Sequence, residues 1–251
     1  NDDGVMELLV FATGTSSENP RAELYSFGTG KRELIGETRL DSTITSFESI
    51  KYAKTDEGTS IYADALCADG SSMVTEFIYW SDYYNSIISP FYSYSTGRTK
   101  ETLRSSQVTC LDIDDYGYIE IPEDTSSKKQ SSEITSQNWV NYGNTVLSHK
   151  CYSFSCKRDG YILVIDDDDF SKVKANYDSE SRKLTIINKK NKSNVFEIVT
   201  LINSNYSVND PKYKDYTMIM KNSGFVYLAK VNKSSDIDIN IQTLKDMIKV
   251  Y

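Results

Sequence analysis

Basic charge, histidine, paired cysteines and long apolar runs are all scarce in this chain of 251 residues, and each shortage closes off a class of function. Lysine and arginine number 28 against 36 acidic residues, which leaves a net charge of -8. Nucleic-acid binders draw most of their affinity from clustered cations on phosphate, so DNA and RNA are set aside as partners. The single histidine, His149, gives Ser-His and Cys-His nucleophile arrangements one candidate base, and Ser148-His149-Lys150 reads as an exposed turn. Cys67, Cys110, Cys151 and Cys156 form no CxxC pair and none has a histidine at ligand spacing. They read as small buried hydrophobes rather than zinc ligands. A bridge from Cys151 to Cys156 stays open in an oxidising compartment, although an odd separation in one strand puts the two thiols on opposite faces. No apolar run reaches the length of a membrane span, and no secretory leader pattern is present.

What the chain does hold is the composition of strands joined by turns. Nineteen tyrosines, with Ser, Thr, Asn and Asp between short apolar segments, favour sheet and leave little helix. Strands are expected over 7–13, 22–27 and 32–40, then as a meander over 47–53, 60–66 and 73–79, continued by 90–94, 108–111 and 118–121. The polar, aperiodic stretch 125–135 reads as a linker, so the expected domains are 1–124 and 136–251. The second carries strands over 139–147, 150–156, 161–165, 172–177, 183–188, 194–201, 217–221 and 225–231. Its one clear helix is expected over 238–251, where Ile241, Leu244, Met247 and Ile248 recur at three and four residues and Asn240 can cap the first turn. The run Asp166-Asp167-Asp168-Asp169 reads as a solvated turn, because adjacent like charges repel.

Two short acidic stretches share one order of residues. Asp112-Ile113-Asp114-Asp115-Tyr116-Gly117-Tyr118-Ile119-Glu120 has acids at alternate places, a glycine at the sixth and a glutamate at the ninth. Asn1-Asp2-Asp3-Gly4-Val5-Met6-Glu7 follows the same order from the third place onward. Both resemble the loops of FG-GAP/VCBS-type repeats, in which a D-x-[DN]-x-D-G-x-x-E loop leads into a propeller blade strand. The second half, from Tyr161-Ile162-Leu163 through Arg182-Lys183-Leu184-Thr185 and Phe196-Glu197-Ile198 to the terminal helix, is similar to the carboxy-terminal domain of secreted lipoproteins of Firmicutes with an expected PsbP/Mog1-like sandwich.

Together these resemblances imply a mainly β chain: partial β-propeller-like antiparallel sheets followed by an α+β, sheet-plus-helix sandwich. They imply a protein that is secreted or anchored to the outer face of the cytoplasmic membrane, with a lipid anchor upstream and no established enzymatic activity. Since the chain begins inside a loop motif, it reads as a trimmed piece of a longer precursor. Calcium is the implied cofactor, because it takes six or more hard oxygens and acids at alternate places can wrap around it. Asn1, Asp3 and Glu7 with the Val5 carbonyl would serve in the first loop, and Asp112, Asp114 and Glu120 with the Tyr118 carbonyl in the second. Tyr116 stands where a further acid is expected. The competing reading is of turns whose Asp and Asn side chains bond their own backbone.

A ligand surface is the other candidate. Tyr79, Trp80, Tyr83, Tyr84 and Tyr92 could stack on sugar rings or anchor a protein, against the alternative that strand aromatics pack in the core or across strands. The function expected from all this is a non-catalytic extracytoplasmic binding or structural module of the bacterial cell envelope, with a cell-wall glycan or another envelope protein as partner. The alternative is a secreted carbohydrate-active hydrolase whose carboxylates no motif marks.

Overall fold

Alternation of side chains across strands dominates the architecture, as in the segment Lys183–Asn188, where every second residue is buried. The structure, a computed structural model, describes residues 4–55, 58–125, 133–143, 146–207, 210–232 and 237–250. It is mainly β, with several antiparallel sheets and few helices. The chain divides into two compact units, Asn1–Asp124 with Trp139–Lys150, and Thr125–Asn138 with Cys151–Tyr251.

In the first unit, β1 (Glu7–Ala12), β2 (Arg21–Ser26) and β3 (Glu33–Arg39) form one sheet in that order. A second sheet runs β4 (Ile44–Thr55), β5 (Gly58–Cys67), β6 (Met73–Ser81) and β7 (Ser86–Ile88), with the two-residue strands β8 (Tyr92–Ser93) and β9 (Arg98–Thr99) paired beside it in sequence. Strand β6 is buried on both faces, which is why Phe77-Ile78-Tyr79-Trp80 is unbroken by polar residues. Ile78 belongs to a core with Ala22, Leu24, Leu40, Val74 and Ile87, whereas Phe77 belongs to a core with Tyr62, Cys110, Ile121, Val140 and Tyr142. Tyr62 and Phe77 sit opposite each other in the β5–β6 ladder, with ring centroids 5.0 Å apart, and Phe77 lies 4.5 Å from Tyr142.

That second core explains where 139–150 folds. The sequence pattern assigns this segment to a second domain beginning at 136, but Val140, Tyr142 and Leu147 pack with Phe77, so it belongs to the first unit. Strands β11 (Ile134–Gly143) and β12 (Val146–Cys156), which follow β10 (Ile121–Asp124), therefore each contribute residues to both units. Of the expected linker, 126–132 lie outside the described residues, and the Thr125 and Ser136 hydroxyls are hydrogen-bonded at 2.6 Å.

The second unit contains an antiparallel sheet of β14 (Val173–Asp178), β15 (Lys183–Asn188), β16 (Asn194–Ile202), β18 (Phe225–Val231) and β17 (Thr217–Lys221), in that spatial order. Strand β13 (Tyr161–Ile165) pairs with the end of β12 and with β19 (Ile248–Val250). Side chains from both groups of strands, including Phe154, Leu163, Ile186, Phe196 and Tyr227, close one core over which Leu244 of helix α2 (Ile241–Met247) is fully buried. Each such aliphatic side chain contributes about 1.5–3 kcal/mol. Asn240 caps α2 by accepting a hydrogen bond from the Thr243 amide at 3.0 Å. The helix stops at Met247 instead of running to 251, because Ile248–Val250 give the edge of β13 a ladder partner, with Leu163 opposite Ile248.

Other expectations shift locally. The acidic run forms a one-turn helix, α1 (Asp167–Phe170), with Asp169 accepting from Lys172 at 2.9 Å. Segments 108–111 and 118–121 reduce to a single antiparallel bridge between Leu111 and Glu120, followed by β10. His149 is exposed within β12 rather than on a turn. Cys67, Cys110 and Cys156 are buried thiols outside any disulfide, so no bridge joins Cys151 to Cys156. No helix among the described residues is long and apolar enough to cross a membrane.

Candidate metal centre

The bridge between Leu111 and Glu120 pinches residues 112–119 into a closed loop through reciprocal backbone hydrogen bonds of 3.1 and 2.9 Å. Asp115 and Gly117 take left-handed backbone conformations, φ 61° and 85°, which Asp tolerates and Gly adopts at no steric cost. Those two reversals lie at the exposed tip of the loop, where residues 115–118 face solvent. One carboxylate oxygen each from Asp112, Asp114 and Glu120 lies within 4.8 Å of the others.

Half of the carboxylate oxygens in this trio are explained by the loop itself. Asp112 Oδ2 accepts from the Gly117 amide at 2.9 Å, Asp114 Oδ1 from the Tyr116 amide at 3.2 Å, and Glu120 Oε2 from the Ile113 amide at 3.0 Å. Asp112 Oδ1 and Glu120 Oε1 are not explained: both are buried and neither has a hydrogen-bond partner. Glu120 has no solvent exposure at all. Leaving a buried acceptor unsatisfied costs about 1–3 kcal/mol, and more for a charge. Burial, opposed by the Ile113 amide and reinforced by the charges of Asp114 and Asp112, pushes the Glu120 carboxyl up to about 7. Lys150 Nζ, 3.5 Å from Asp114 Oδ2, is the cation of the neighbourhood. Ordinary acidic turns would account for the three bonded oxygens and not for the two buried ones. A hard divalent cation between the three carboxylates would supply the missing partner, so the chemistry of the donor set fits calcium.

At the amino terminus, Asn1 and Asp3 lie outside the described residues. Glu7 opens β1 opposite Ser26. Gly4 has φ 79°, so the glycine at the sixth place is left-handed in both loops.

The aromatic candidates separate. Tyr79 is half-buried against Phe77, at 5.5 Å, and faces the core. Trp80 is half-buried and donates its indole N–H to Asp82 at 3.0 Å. Tyr92 is buried beside Tyr94. Of these five, Tyr83 and Tyr84 are the broadly exposed pair, meeting edge to face at 4.8 Å on the turn between β6 and β7. Sequence reasoning passed over two further exposed rings, Tyr116 at 77% and Tyr118 at 45%, which the acidic loop itself carries.

Paired catalytic acids would need reach to a substrate. Glu76 shares with Glu120 a carboxyl pushed up to about 7 by burial, but it has no exposed surface and accepts from the Asp41 amide and the hydroxyls of Ser89 and Thr99. No protein-family model matches the chain, and neither a curated protein nor a solved structure matches it.

Proposed function

We propose that this chain is a non-catalytic binding module that works outside the cytoplasm, in a bacterial cell envelope, and that a calcium ion held by Asp112, Asp114 and Glu120 is its structural cofactor. The observation that carries the reading is the pair of buried, unpartnered carboxylate oxygens on Asp112 and Glu120. When bound, calcium supplies charge compensation there and does no chemistry. The Gly117, Tyr116 and Ile113 amides orient the three carboxylates by holding their second oxygens.

Three carboxylates with a tyrosine at the fifth place make a modest ligand set, of the kind that matches extracellular calcium at about 0.1–1 mM rather than cytosolic levels. The likeness of both loops to FG-GAP/VCBS-type repeats supports the same placement, as does their shared left-handed glycine. The burial and full hydrogen bonding of Glu76 weigh against a hydrolase using hidden carboxylates. A cell-wall glycan or another envelope protein is the partner this reading implies.

Thermal unfolding with millimolar calcium and with chelator tests it. The wild-type protein should melt higher in calcium by the mass-action amount, about 1.4 kcal/mol at tenfold excess over Kd, and Glu120→Gln should lose that increment. Identical melting in the two conditions would contradict the proposal.

A further inference from the structure

Calcium at this loop would retain room for an outside ligand, because the fifth place, which should supply a side-chain oxygen, supplies a phenol ring that points to solvent. Tyr116 gives its backbone amide to Asp114, yet its side chain is 77% exposed. It therefore fills no ligand position. The ion's preference for six or more oxygens leaves places beyond the three carboxylates and one carbonyl that the loop can offer. Tyr118, two residues on and 45% exposed, places a second ring on the same loop.

We infer that the loop is a calcium-dependent carbohydrate site, in which two adjacent hydroxyls of a hexopyranose complete the coordination and the sugar's C–H face lies on Tyr116. This deepens the calcium reading and rests on it. Charge selects the ligand class: Asp112, Asp114, Asp115 and Glu120 against Lys150 and a dication leave the loaded loop about one unit negative, on a chain already at -8. An anionic partner is repelled by that field. A neutral diol offers two hard oxygens without charge, and its apolar face matches an exposed aromatic ring. The Tyr83 and Tyr84 pair has rings but no metal donors, so it does not select hydroxyls in this way.

Retention on mannan, galactan and dextran beads, whose sugars present both cis and trans adjacent hydroxyls, tests the inference beside calorimetric titration with calcium chloride alone. Wild type should be retained on at least one polysaccharide in millimolar calcium and released by chelator or by the free monosaccharide. Tyr116→Ala, compared with wild type at calcium that saturates each protein, should lower retention about tenfold, the loss of roughly one stacked ring. Calcium binding without retention on any of the three, or retention indifferent to chelator or to Tyr116→Ala, would overturn the carbohydrate site and leave the structural ion standing. Absence of calcium binding in the calorimeter would overturn both.

Discussion

Arg104 donates from Nη2 to Asp64 Oδ1 at 2.8 Å, and neither side chain has any solvent exposure. The rest of the guanidinium is spent on Thr75 Oγ1, the Thr102 carbonyl and the Val108 carbonyl, while Asp64 Oδ2 accepts from the Cys110 amide. The buried ion pair thus joins the backbone bridge between Met73 and Arg104 in tying the 102–110 segment to β5 and β6. Arg104→Met strands the Asp64 charge in the core and should destabilise the first unit by about 3–5 kcal/mol, read as a lowered urea midpoint. The double variant Asp64→Leu/Arg104→Met should recover much of that loss, and a double as unstable as the single would refute this account of the pair.

Glu76 sets a pH dependence. Burial is the main cause of its raised carboxyl, about 7 against 4.5, and the Asp41 charge adds to it. Between those values the folded state binds the proton and the unfolded state does not, so this group's contribution is complete below about pH 4.5 and is lost as pH rises through about 7. The amount is on the order of 3 kcal/mol. In a Glu120→Gln background, which removes the parallel effect of Glu120, the further change Glu76→Gln should flatten the urea midpoint across that range. An unaltered slope would contradict it.

Lys150 competes with any cation for Asp114. Removing it with Lys150→Ala should tighten calcium binding about two- to fivefold at low salt, as expected for a partly exposed pair, and by less at high ionic strength. Calorimetric titration at two salt concentrations checks this, and weaker binding in the variant would be the contrary result.

Asn240 is the cap of α2, and Asn240→Ala should cost about 1 kcal/mol in urea unfolding, with Asn240→Asp close to wild type. Equal loss in both variants would mean that the side-chain oxygen is not the source of the effect.

Much of the sheet was legible because period-two burial is written into single strands. Lys183–Asn188 alternates in this way, whereas Tyr161–Ile165 and Phe225–Val231, largely buried on both faces, fall where short apolar runs between polar turns placed them. The Asn240 cap was legible, but the helix bounds were not: the helix begins after that cap at Ile241 rather than at 238, and Ile248 continues a helical spacing yet was claimed by the open edge of β13 instead. Nor could local pattern reveal that Val140 and Tyr142 pack on Phe77, since a contact spanning more than sixty residues leaves no mark in either segment. The acidic loop shows the same division. Its carboxylates and glycine stand in the sequence, whereas the burial of Glu120 and the two unpartnered oxygens depend on the bridge to Leu111.

The most direct measurement is a crystal structure of the protein grown in millimolar calcium. The account predicts a single strong density peak, anomalous at long wavelength, within about 2.3–2.6 Å of Asp112 Oδ1 and Glu120 Oε1. Donor groups or water filling those two oxygens in the presence of calcium, with no such peak, would contradict it.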